Sequence, residues 1–136
     1  MRRIVPWVYF APALVVIVSG CGTDPARIKG RLLDNGQPLA IPASGAPQSI
    51  VFVPLGADGS NQGRMYSATL GPDGAFELVA AGGSVPPGNY RVSLDITLPG
   101  KAGERFKPFA GTGSPIRREL KPGSNDLVID LSKPEG

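Results

Sequence analysis

Glycine and proline divide this chain into short segments, and that punctuation limits its fold more than any other feature. Beyond Cys21 the breakers gather at Asn35-Gly36, across 56–63, at Gly71-Pro72-Asp73-Gly74, at Pro86-Pro87-Gly88 and at Pro122-Gly123. The stretches between them are rich in Val, Ile, Leu, Phe and Tyr, and such runs bounded by turn residues read as strands. Strands are expected over 27–33, 49–55, 64–70, 75–79, 90–97, 116–121 and 126–131.

The turns have separate causes. Asn35-Gly36 tolerates the positive φ of a tight hairpin, whereas Pro72 presets one φ of the next turn and Gly74 permits another. The 49–55 segment is apolar on both faces through Ile50, Val51, Phe52 and Val53, so it belongs in the middle of a sheet. The best alternation sets Tyr90, Val92, Leu94 and Ile96 against Arg91, Ser93, Asp95 and Thr97, the pattern of a half-buried antiparallel strand. The first strand turns Ile28 and Leu32 inward and Lys29 and Arg31 outward; the last turns Leu127, Ile129 and Leu131 inward. A proline- and alanine-rich stretch, 40–47, reads as an inserted surface loop, the pattern dissolves over 99–114, and 132–136 reads as a frayed tail. With no helical segment between strands, the expected fold is all-β, a seven-stranded antiparallel Greek-key β-sandwich that buries one face of each strand.

The first twenty residues have a different character. Arg2 and Arg3 precede an apolar run from Ile4 to Val18, which is too short to span a bilayer and is interrupted by Pro6 and Pro12. Small residues, Ser19 and Gly20, then lead to Cys21, the chain's only cysteine. A positive start, an apolar middle and small residues before a cut make a secretory signal over 1–20. Val18-Ser19-Gly20-Cys21 resembles the lipobox of bacterial lipoproteins. That resemblance implies cleavage between Gly20 and Cys21, with a covalent diacylglycerol and acyl chain (palmitate class) on Cys21. Residues 21–26 would then tether the 27–131 body to a membrane of the cell envelope, on its periplasmic or extracellular face. Two acyl chains make attachment durable where one is marginal.

Composition removes several classes of function. The formal charge of +3 over 136 residues falls once Arg2 and Arg3 leave, because twelve Lys and Arg then face eleven Asp and Glu. That balance is no footprint for nucleic acid, which calls for clustered basic residues on a strongly basic domain. There is no histidine, and the one thiol is committed to lipid, so no Ser/His/Asp or Cys/His arrangement can be built. A zinc site would have only carboxylates, and Asp58-Gly59-Ser60-Asn61 lacks the ligand alternation and closing Glu of a calcium loop. No cofactor, no metal and no enzymatic activity are expected, and isolated carboxylates such as Glu104 or Asp95 form no recognisable acid/base pair.

Several local sequences fall in order along the chain: Lys29-Gly30-Arg31 leading to Asn35-Gly36-Gln37-Pro38-Leu39, Ile50-Val51-Phe52-Val53-Pro54, Gly71-Pro72-Asp73-Gly74-Ala75-Phe76, Pro87-Gly88-Asn89-Tyr90-Arg91-Val92, Ser114-Pro115-Ile116 and Asn125-Asp126-Leu127. Together they resemble the carboxypeptidase regulatory-like domain, a transthyretin-like β-sandwich, in the version found in small bacterial lipoproteins. The resemblance spans nearly the whole chain after Cys21, apart from the extra 40–47 stretch. It implies a folding, stability or binding module and no peptidase activity.

Among possible recognition residues, the only tryptophan, Trp7, lies in the signal, which leaves no tryptophan platform for sugars. Tyr90 reads as a structural corner whose hydroxyl bonds a nearby carbonyl. Phe106 and Phe109, in Glu104-Arg105-Phe106-Lys107-Pro108-Phe109, are the candidate interaction loop; a core cap is the plainer reading of both. The expected function is a lipid-anchored, non-enzymatic interaction or structural module for an envelope protein partner. The alternative is a carbohydrate-binding module using Phe106 and Phe109.

Overall fold

A computed structural model describes residues 26–78 and 85–135. The signal segment, Gly20, Cys21 and most of the tether lie outside the described residues. The body is a two-sheet, all-β structure in which each expected strand is present with slightly shifted ends: β1 (Ala26–Asp34), β3 (Ser49–Pro54), β4 (Tyr66–Thr69), β5 (Ala75–Leu78), β6 (Gly88–Asp95), β7 (Arg117–Leu120) and β8 (Gly123–Asp130). An additional two-residue strand, β2 (Gln37–Pro38), is the return arm of the Asn35-Gly36 hairpin. Both turn residues there have positive φ, 51° and 77°, as a two-residue loop between twisted strands requires.

One sheet has β1 at its centre, with β8 along one edge and β5 and β2 along the other. The second runs β4-β3-β6-β7, so the doubly apolar segment β3 is central, as its pattern demands. One expectation fails. The sandwich is not wholly antiparallel, because β1 and β8 pair in parallel from Ala26↔Gly123 to Leu33↔Asp130. The cause is at the β7–β8 corner. The chain leaves Leu120 at the end of the molecule where β1 begins and crosses to the other sheet, so β8 must run in the same sense as β1.

The core lies between the sheets and is threaded by aromatic rings. Phe76 of one sheet meets Phe52 of the other at 6.1 Å between centroids, and Phe52 meets Tyr90 edge-on at 6.4 Å. Tyr90 in turn meets Tyr66 at 6.5 Å, so these tilted and edge contacts link β5, β3, β6 and β4. Ile28, Leu32, Ile50, Val92, Ile116, Leu120 and Ile129 fill the spaces around them. Gly30 sits on the inward face of β1 in register with Phe76, whose ring occupies the place of the missing side chain. A Cβ there would lie 2.7 Å from that ring and strike the Leu127 carbonyl of β8.

The alternation of β6 holds only on its inner face. Tyr90, Val92 and Leu94 are buried as expected, but Arg91 and Ser93 on the other face are also buried, at 9% and 5% exposure. The outer face is not left to solvent: Asn61 of the 55–63 loop reaches Arg91.

The sandwich has two distinct ends. At the end where β1 begins, Ala26 pairs with Val85 and with Gly123, beside the 55–64 loop, Pro86-Pro87 and the Lys121 turn. At the far end lie Asn35-Gly36, the 41–48 segment, the 71–74 turn and the 97–105 loop. The nine residues of β1 separate the two ends by about 30 Å. Gly30→Ala is expected to destabilise the fold by about 1–3 kcal/mol, the range for overfilling a packed core, measured as a lower urea midpoint with an unchanged slope.

Candidate functional site

The candidate recognition loop belongs to the far end, and its two phenylalanines face inward. After β6 the chain forms a single helical turn, α1 (Lys101–Glu104), then two short 3-10 turns at 107–109 and 111–113. Phe106 is 3% exposed and part of the core, and Phe109 packs against the same cluster. Burying such a ring contributes about 1.5–3 kcal/mol relative to leaving it in water. The possible interaction residues are therefore caps on the open end of the sandwich, and neither offers a free stacking platform. What the loop shows to solvent is charge. The Arg105 guanidinium lies over the Phe106 ring at 4.8 Å and reaches Asp34 of the hairpin at 3.5 Å, while Lys107 pairs with Glu104 at 2.6 Å.

Next to it, the 40–47 stretch is held at both ends. Leu39 and Ile41 are buried, and the Ile41 N–H donates to the Pro72 carbonyl at 2.9 Å. At its close, buried Gln48 acts as a clamp. Its amide nitrogen donates to Ser44 Oγ and, at 3.1 Å each, to the carbonyls of Ala46 and Thr97. Its amide oxygen accepts from the Thr97 N–H at 2.7 Å. One side chain thus joins this stretch to the exit of β6, and every polar atom of the amide head has a partner.

Asp130 makes the third lock of this end. Its carboxylate accepts from the N–H groups of Asn35 (3.2 Å) and Gly36 (2.8 Å), and from the N–H (2.9 Å) and hydroxyl (2.6 Å) of Ser132. Those bonds, the Ser132 hydroxyl first, hold its pKa below the ordinary carboxylate value. The tail expected to fray is held as well: Ser132 binds Asp130, and the Pro134 carbonyl accepts from Arg118 at 3.2 Å.

Most other carboxylates are engaged structurally. Asp73 pairs with Arg31 at 3.1 Å and Asp126 with Lys29 at 3.6 Å. Asp58 turns back onto Ser60, accepting from its N–H at 3.0 Å and its hydroxyl at 2.6 Å, and these bonds lower its pKa. The 58–61 stretch is thus a self-capped turn. Among the described residues no three His, Cys, Asp or Glu side chains come together as a metal site would need, and no helix is long and apolar enough to cross a membrane.

At the opposite end, Tyr90 fulfils its expected corner role: the hydroxyl donates to the Pro86 carbonyl at 2.5 Å and holds the turn entering β6. Burial, with a smaller contribution from Tyr66, pushes its pKa up to about 12. Arg91 Nη1 donates to Asn61 Oδ1 at 2.6 Å, and its buried Nε has no partner among the described residues. The residues that sequence reasoning passed over, Gln48, Asp130 and the Arg91–Asn61 pair, act across separations of 49, 95 and 30 positions. Only the Asp130-Leu131-Ser132 spacing carried a local sign, that of a side chain capping its own turn.

Comparison with known proteins finds no matching family model, no matching curated protein and no matching solved structure. The carboxypeptidase regulatory-like resemblance rests on the turn and core motifs in the sequence.

Two expectations follow from these locks. A depressed carboxylate contributes stability above its unfolded pKa of about 4 and loses it as pH falls through the folded value. Thermal melts should show Asp130→Asn clearly less stable than the parent at pH 7, the gap closing by about pH 2. Tyr90→Phe leaves the Pro86 carbonyl without its donor and should cost about 1–2 kcal/mol in chemical denaturation. A raised tyrosine pKa contributes stability that is present below the unfolded value and lost above it, so the parent's advantage over Tyr90→Phe should shrink as pH rises past about 10.

Proposed function

We propose that this chain is a lipid-anchored envelope protein whose β-sandwich is a non-enzymatic interaction or structural module of the carboxypeptidase regulatory-like type, Greek-key and transthyretin-like in its strand order. The observation that carries the reading is Val18-Ser19-Gly20-Cys21, closing a signal-like segment five positions before β1. Two acyl chains on Cys21, with each buried methylene worth about 0.8 kcal/mol, would hold the globule durably at a bilayer.

The architecture fits that role. The tether enters at the end formed by Ala26, Val85 and Gly123, and five peptide steps from Cys21 reach at most about 17 Å. The end about 30 Å further on, with Asn35-Gly36, the Gln48-clamped stretch and the charged rim of Lys101, Glu104, Arg105 and Lys107, is then the one directed away from the membrane. A partner would meet backbone turns and alternating charge there, or add a strand to an open sheet edge through backbone hydrogen bonds. The carbohydrate alternative is weakened, since Phe106 is buried in the core and Phe109 is half-buried against it.

Cross-linking in intact cells, with the natural chain compared to Cys21→Ser, tests the reading. The expected outcome is one stoichiometric envelope protein recovered with the natural chain and lost with the variant. Recovery of membrane-associated protein with no reproducible partner argues against an interaction module.

A further inference from the structure

Of the twelve Lys and Arg after Cys21, four make ion pairs among the described residues and eight do not. In the middle and far parts of the sandwich, Lys29, Arg31, Arg105 and Lys107 each lie within 4 Å of a carboxylate: Asp126, Asp73, Asp34 and Glu104. In the half nearest the tether stand Arg27, Arg64, Arg91, Arg117, Arg118 and Lys121, and among the described residues none of these makes an ion pair; at the far end Lys101 and Lys133 are unpaired as well. Strand register fixes their placement. Arg27 is the second residue of β1, Arg117 lies opposite Arg91 and Arg118 opposite Tyr90, and Lys121 begins the turn beside Ala26. Arg64 lies beyond Tyr66, level with the Pro54 end of β3.

Acidic residues stand in the same half too: Asp126 pairs with Lys29, and Glu77 lies opposite Lys29 on β5. Asp58 is occupied by Ser60, Glu119 lies opposite Asn89, and Glu135 follows Pro134 at the margin of β7. Arg91 and Arg117 face each other across a strand pair with no anion between them. Both are held internally, the buried Arg91 by Asn61 and Arg117 by the Ser114 and Ile116 carbonyls, which leaves Arg27, Arg64 and Lys121 as the cations open to an external negative charge. Met65, 64% exposed, adds an apolar side chain at the same end, next to Arg64.

We infer that this end is a docking face for an anionic bilayer: the unpaired cations, led by Arg27, Arg64 and Lys121, rest on negatively charged lipid headgroups and hold the sandwich upright on its anchor. The inference deepens the proposed function and rests on lipidation at Cys21. The tether makes the contact effective. It keeps Ala26 within about 17 Å of the membrane plane, about two Debye lengths at physiological salt, so the cations of that end are the ones brought toward the headgroups, whose attraction strengthens steeply inside that distance. Exposed basic residues beside an apolar side chain form the second signal that supplements an acyl anchor.

The test uses the mature lipidated protein in vesicles of phosphatidylcholine alone and of phosphatidylcholine with phosphatidylglycerol, read by flotation and by amide hydrogen exchange. Exchange at 62–66 and 121–124 should slow several-fold only where phosphatidylglycerol is present. The slowing should vanish in Arg64→Gln/Lys121→Gln and in about 1 M salt, where the Debye length falls to about 3 Å. Equal exchange in both vesicle types, or slowing at 97–105 instead, overturns the inference while flotation upholds the anchor. Failure to float with either composition removes the anchor and the inference together.

Discussion

Strand β1 is the one element that every other strand of its sheet must find. It pairs with β5 and β2 on one edge and with β8 along eight residue pairs on the other, so no second strand of that sheet could satisfy its backbone without it. The same strand carries Gly30, where the absence of a side chain lets Phe76 cross toward the β8 backbone, and its end is locked by Asp130 onto the Asn35-Gly36 turn. Buried backbone groups cannot be left unpaired. The first and last strands therefore have to meet before their sheet is complete, and pairing over so long a separation makes folding depend on the whole chain.

What could be read from the sequence was whatever the chain decides locally. The Asn35-Gly36 and Gly71–Gly74 turns follow from the φ values their residues allow, and both appear where the residues place them. Inner faces were legible for the same reason, since a period of two assigns Ile28, Leu32, Tyr90, Val92 and Ile129 to the core without reference to any neighbour. The Tyr90 hydroxyl finds its acceptor four residues away, again a local fact.

What could not be read depends on partners distant in the chain. The parallel sense of β8 is set by a corner between sheets, and no residue within β8 encodes it. Arg91 and Ser93 alternate as solvent-facing residues should, yet both are buried, and Arg91 is held by Asn61 of the 55–63 loop. Phe106 and Phe109 sit among charged residues in sequence, while the sandwich end they cap is assembled from several strands. The unpaired cations near the tether are likewise dispersed from Arg27 to Lys121, and only strand register gathers them.

The functional account turns on Cys21, because the proposed anchor would decide which end of the sandwich faces a membrane and which is left free. The most direct measurement is the intact mass of the protein extracted from the membrane fraction of its native cells. The account predicts a chain that begins at Cys21, lacks residues 1–20 and carries the added mass of a diacylglycerol with a further acyl chain, a mass absent from Cys21→Ser. A mass equal to the unmodified chain, or a cut elsewhere that leaves Cys21 a free thiol, would contradict it.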